Sequence, residues 1–251
     1  MQQQKRLTRK EKRKLRQAGL DENTGYDSLF KHTFQIKSIA PLTDNQRLAF
    51  DYFAADDNIL LHGVAGTGKS FLSLYLSLKQ VMEGKSPYEK VVLVRSVVPT
   101  RDMGFLPGNN KEKSRVYEAP YTAICTELFG RGDAYTNLSS KGYLEFISTS
   151  FVRGTTFNDC IIIADEIQHM DLGELDSVIT RIGKNCKVLM CGDFRQSDFR
   201  RDNERSGIIK FMKIIREMKS FEFVDFNEED IVRSALVKDY IITKDRLGIS
   251  V

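Results

Sequence analysis

Gly63-Val64-Ala65-Gly66-Thr67-Gly68-Lys69-Ser70 sets glycines, one amine and one hydroxyl at the spacing G-x-x-x-x-G-K-[ST]. Glycines permit backbone conformations closed to other residues, so successive N–H groups can turn inward around phosphate oxygens. The apolar run NILLHG precedes the octet, and the helical pattern SFLSLYLSLKQVMEG follows it. A phosphate held there meets the N-terminus of a helix, where free N–H groups and the helix dipole favour anions. Lys69 is expected to reach the β- and γ-phosphates and the Ser70 hydroxyl to ligate Mg²⁺, with Phe71 closing the cradle.

Hydrolysis needs a second, acidic element. Cys160-Ile161-Ile162-Ile163-Ala164-Asp165-Glu166 is an apolar strand that ends in two carboxylates. Asp165 is placed to hold Mg²⁺ through its water shell, and Glu166 to polarise an attacking water as general base. A third apolar run ends in Cys191-Gly192-Asp193, and Gln196 beyond it is placed to sense the γ-phosphate or the catalytic water, because strand ends of this architecture converge on the ligand crevice. Upstream, Thr43 and Asp44 read as a helix start, and Gln46 carries the side chain that can both donate to and accept from an adenine edge. ATP with Mg²⁺ is therefore the expected ligand.

These groups need strands to carry them to one edge. NILLHG, VVLVRSV, YLEFISTSF, CIIIADE, KVLMCGD and FEFVDF are apolar, β-branched runs separated by polar or helical segments. Several are apolar on consecutive residues, which suits parallel strands covered on both faces. The expected fold is a doubly wound α/β sandwich of the P-loop NTPase type. Residues 26–40 alternate loosely and could add an edge strand, and the Gly/Pro-marked residues 104–120 read as a long loop.

The chain has 251 residues with 38 Lys+Arg against 34 Asp+Glu, enough for one globular domain and too charged for a membrane span. Its N-terminus lacks the apolar core of a signal peptide, so a cytoplasmic address is expected. Four cysteines without a CxxC pair, and only three His, argue against disulfides and transition metals. Residues 1–16 hold eight bases and one acid, leaving 30 bases and 33 acids elsewhere, so a +7 leader precedes a −3 body. Residues 1 to 25 are expected to form a basic extension, disordered or a solvated helix, and 26–251 a single domain.

Together these motifs resemble the PhoH family, the phosphate-starvation-inducible ATPases related to the first RecA-like domain of superfamily 1 helicases. The resemblance spans residues 36–243 and rests also on VVLVRSVV, Met103–Gly108, Glu112-Lys113, Phe151–Phe157 and Asp230-Ile231-Val232-Arg233. It departs at Ser96, Thr155 and Ser114-Arg115-Val116, none of which touches the phosphate loop or the acidic pair. The resemblance implies an ATPase core without the second RecA-like domain that closes over ATP in helicases. Such a core needs an arginine against transition-state charge. Arg233 is the leading candidate and Arg153 the second, each supplied by a neighbouring subunit of a homo-oligomer, with a hexameric ring one such arrangement.

The helicase relationship implies single-stranded nucleic acid as partner, RNA ahead of DNA, engaged by the basic leader. The alternative is a nucleotide-gated assembly module with slow turnover. A phosphotransferase acting on a small molecule is a third reading, without a visible acceptor pocket.

Overall fold

The computed structural model describes residues 34–97, 110–193 and 204–249, with side chains from 116 and from 207 in the last two stretches. The chain divides into two compact units, Met1–Ser38 and Ile39–Val251. Of the first, only residues 34–38 are described. They form no strand, nor do 39 and 40, so the edge strand expected over 26–40 does not form in its described part. The basic leader lies outside the described residues.

The second unit begins with α1 (Asp44–Ala54), whose N-cap Thr43 accepts a hydrogen bond from the Gln46 amide. Next come β1 (Asn58–Gly63), α2 (Lys69–Glu83), β2 (Lys90–Arg95), α3 (Asn110–Phe129) and α4 (Ala134–Ser140). They are followed by β3 (Leu144–Ser148), the short α5 (Thr149–Val152), β4 (Cys160–Ala164) and α6 (Leu172–Thr180). β5 (Cys186–Gly192), α7 (Glu204–Glu217), β6 (Phe221–Phe226) and α8 (Ala235–Arg246) complete the order.

Two elements differ from the sequence expectation. The run YLEFISTSF is not one strand: Ser148 caps α5 with its side chain, which ends β3 there. The polar stretch read as a loop to 120 is helical from Asn110, with Pro120 inside α3. A proline normally signals a break because it lacks an N–H and crowds the preceding turn. Here the helix continues past it to a buried side: Tyr121, Cys125 and Leu128 recur at helical spacing and are buried.

All six strands pair in parallel, in the order β3-β2-β4-β5-β1-β6. After β1 the chain crosses to β2, and it later returns through β4 and β5 and steps over β1 to β6. Right-handed crossovers in opposite directions put helices on opposite faces. On one face, Leu60, Val92, Ile162, Val188 and Met190 meet Leu175 and Val178 of α6 and Ile208, Phe211 and Ile215 of α7 in one buried cluster. On the other, α2 packs on β2, β4 and β5, burying Leu72, Leu74, Leu78 and Val81. Among the described residues, no helix is long and apolar enough to cross a membrane.

The reversal of direction at β1 opens a crevice at the carboxyl ends of the strands. β5 lies between β1 and β4, so the phosphate loop and the acidic strand end stand two strand spacings apart, roughly 10 Å. Side chains have to close that gap.

At the opposite end of the sheet, Lys187 is 1% exposed on β5. Its ammonium pairs with Asp56 at 2.6 Å, donates to the Phe53 carbonyl at 2.9 Å and lies 3.9 Å from the Phe53 ring centroid. A buried amine needs such partners, and here they tie the end of α1 to the sheet.

Candidate phosphate-binding site

The loop between β1 and α2 follows the spacing Gly63–Ser70, and the fold explains its glycines. A Cβ on Gly63, at φ +120°, would stand 2.0 Å from the Phe226 carbonyl oxygen at the end of β6. That approach lets the Val64 amide donate to the same oxygen. Gly66, at φ +79°, presents bare backbone to Arg233, whose Cγ would lie 3.1 Å from an added Cβ. Inside the loop, Thr67 is fully buried and its hydroxyl donates to the Val64 carbonyl at 3.0 Å. Lys69 folds onto the loop, donating to the Gly63 and Val64 carbonyls at 2.8 Å each.

Gln46 supports this loop from behind. Its side chain is 3% exposed, its Nε2 donates to the Thr67 carbonyl at 3.0 Å and its Oε1 accepts from the Leu42 amide at 2.8 Å. Both ends of this amide, expected to read an adenine edge, are engaged with backbone.

A cavity of about 520 Å³ opens in front of the loop. Ala65, Gly66, Gly68, Lys69, Ser70 and Phe71 line one side, and Asp165, Glu166 and Asp193 line another. Gly63, Val64 and Thr67 shape the loop from within without lining it. The Ser70 hydroxyl donates to Asp165 Oδ1 at 2.8 Å, so the helix start and the acidic strand end meet across β5.

Asp165 is almost wholly buried, and its carboxyl is pushed above the ordinary carboxylate range. Burial is the largest cause and the neighbouring Glu166 the next, while hydrogen bonds from Ser70 and Tyr121 and the charge of Arg95 oppose them. Arg95, half-buried at the end of β2, has its pKa drawn down by burial, but the Tyr121 hydroxyl and the two carboxylates together hold it above its ordinary value. Glu166 occupies the left-handed region at φ +54°, which is uncommon for a residue with a side chain and is found where a site fixes the backbone. Its Oε2 accepts from Gln168 Nε2, and Gln168 Oε1 accepts in turn from the Asp193 amide at 3.3 Å.

Arg233 lines the same cavity. It lies beside Gly66 of the loop of its own chain. Arg153 does not line the cavity: it caps α5, with its guanidinium near Gly173 of α6. Gln196 lies outside the described residues.

Three residues escaped sequence reasoning. Gln168 follows the acidic pair by two positions and could have been found by extending the strand-end search along the same turn. Arg95 ends a strand and could have been noticed on the same ground. Tyr121 gave no signal, because it sits on a helix just past a stretch that reads as loop.

Mg²⁺ suits this site. Ser70 and Asp165 offer two hard oxygen ligands 2.8 Å apart at the cavity wall, and phosphate oxygens and water usually complete such a sphere. The buried carboxylate, costly to keep charged on its own, is suited to a cation.

A parallel sheet wound on both faces, a glycine loop at a helix start and a buried acidic strand end facing it define a P-loop NTPase core of the RecA-like kind. The chain belongs to the PhoH family, whose model, described as PhoH-like protein, matches residues 38–243.

The PhoH-like protein of Bacillus subtilis (strain 168) is 29% identical over 214 residues, covering 84% of this chain and 65% of the relative. The PhoH-like protein of Mycobacterium tuberculosis (strain ATCC 25618 / H37Rv) is 31% identical over 218 residues, covering 82% and 57%. This chain spans less than two thirds of the length of these relatives. Among solved structures, the large terminase from a thermophilic bacteriophage superposes with a TM-score of 0.50 at 12% identity, over 80% of this chain and 50% of that one. That likeness concerns the fold alone.

Proposed function

We propose that the chain binds and hydrolyses ATP with Mg²⁺ in this cavity, and that it couples turnover to single-stranded nucleic acid, RNA ahead of DNA. The observation that carries the proposal is the contact of Ser70 with Asp165 at 2.8 Å, beside Lys69 and Glu166 in one cavity. The loop amides and the start of α2 receive the phosphates, and Lys69 exchanges its loop carbonyls for phosphate oxygens. Ser70 and Asp165 would hold Mg²⁺, whose charge would offset that developing on the phosphates. Glu166 accepts the proton of the attacking water, and Gln168 fixes the carboxylate that does so. Arg233, across Gly66, is the cation assigned to phosphate charge in its own site.

The leader supports the nucleic-acid part. Eight bases in residues 1–16 precede a net acidic body, and phosphate binding needs local cation density. A homo-oligomer remains part of the proposal, with a neighbouring subunit adding residues to the cavity. The test is ATP turnover with and without single-stranded RNA and DNA across a salt series. Stimulation by RNA that falls steeply with salt, and that weakens when residues 1–20 are removed, is the expected result. ATP binding with slow turnover that no polynucleotide changes would favour a nucleotide-gated assembly module.

A further inference from the structure

We infer that Tyr121 positions Asp165 for the metal, and so links α3 to the hydrolytic site. The inference rests on the Mg²⁺-ATP site proposed above. A carboxylate can offer either oxygen and can swing about its own axis. Asp165 presents Oδ1 to Ser70 because Oδ2 is occupied: the Tyr121 hydroxyl donates to it at 2.8 Å.

Tyr121 is itself held on several sides. It is 1% exposed, its ring lies 6.1 Å from that of Phe146 on β3 at a 43° tilt, and Arg95 stands beside its hydroxyl. Facing a carboxylate, which accepts, the phenol is the donor of the pair. The pin therefore points one way only, from phenol to carboxylate.

α3 contributes more than this contact. Pro120, Ala123, Ile124 and Glu127 line the same cavity as the phosphate loop. The helix that walls the cavity thus also carries the residue that sets the metal-facing carboxylate. A displacement of α3 is transmitted to Asp165 through one hydrogen bond. Core packing alone would account for the ring of Tyr121 but not for the placement of its only polar atom on the metal-site carboxylate.

The test compares wild type, Tyr121→Phe and Phe146→Leu, the last keeping the hydroxyl while loosening its support. Affinity for a fluorescent ATP analogue is measured with and without Mn²⁺, and Mn²⁺ binding to the nucleotide complex is followed by electron paramagnetic resonance. Tyr121→Phe leaves a buried carboxylate oxygen without its donor, so Mn²⁺ affinity is expected to fall on the order of tenfold, with metal-free nucleotide affinity unchanged. Phe146→Leu is expected to shift it in the same direction by less, and decides the matter if Tyr121→Phe does not fold.

Unchanged Mn²⁺ affinity in the folded variants overturns the positioning role. So does a parallel loss of metal-free nucleotide affinity, which would mark a general disturbance of the loop. A wild-type chain whose nucleotide affinity ignores Mn²⁺ sinks the underlying Mg²⁺-ATP assignment, and this one with it.

Discussion

Replacing Gln46 by Ala separates support of the phosphate loop from recognition of the base. The substitution removes two hydrogen bonds, to the Leu42 amide and to the Thr67 carbonyl. Each contributes about 1 kcal/mol net, and a buried partner left unmet adds about 1–3 kcal/mol. Leu42 is 74% exposed, so its amide can regain water. Thr67 is fully buried, so its carbonyl cannot. The sum is about 3–5 kcal/mol, or roughly 6–20 °C in Tm for a domain of this size. Because the disturbed element cradles phosphates, ATP and GTP affinities should fall together, by about tenfold if some 1.4 kcal/mol reaches the loop. Thermal denaturation and displacement of a fluorescent nucleotide by ATP and by GTP measure both quantities. An unchanged Tm, or a loss confined to ATP, would refute loop support and restore adenine recognition.

Lys69→Ala removes the amine that the loop carbonyls hold and that phosphates would recruit. Nucleotide binding or turnover should be abolished while the circular dichroism spectrum stays that of the wild type. Asp165→Asn should make the nucleotide-free protein more stable relative to wild type as pH rises. The raised Asp165 pKa means that the folded chain binds this proton more tightly than the unfolded one. Its contribution is therefore fully present below the ordinary carboxylate pKa and is lost as pH climbs through the raised value. Denaturation of both proteins from about pH 4 to pH 7 should show the difference widening upward, with Mg²⁺-dependent turnover lost in the variant. Lys187→Ala, at the far end of β5, should cost about 3 kcal/mol by leaving its partners unmet and a cavity behind. Isothermal titration should find its ATP affinity unchanged, since its partners Asp56 and Phe53 stand at the end of the sheet away from the loop.

The strands, their parallel arrangement and the two site motifs were legible in the sequence because each rests on local pattern. Consecutive apolar residues in CIIIA mark a strand buried on both faces, and Gly63 and Gly68 mark a loop whatever surrounds them. What escaped depended on contacts between distant segments. Gln46 carries the right functional groups for an adenine edge, and only the fold shows both of its ends facing backbone. Arg233 lies far along the chain from Gly66, and the return of β6 beside β1 brings it over its own loop. α3 was hidden by Pro120, a local breaker signal overridden by the packing of Tyr121, Cys125 and Leu128. Tyr121 itself meets Asp165 across 44 positions, a contact that no spacing rule encodes.

Glu166, held in a left-handed conformation beside Asp165, is assigned as the base that activates water for ATP hydrolysis. Glu166→Gln keeps the shape of the side chain and removes its basicity. ATP affinity, measured by equilibrium binding, should stay at the wild-type value. Phosphate release in a single-turnover assay should fall by about 10²–10⁴-fold. Wild-type release by the Glu166→Gln protein would rule out Glu166 as that base.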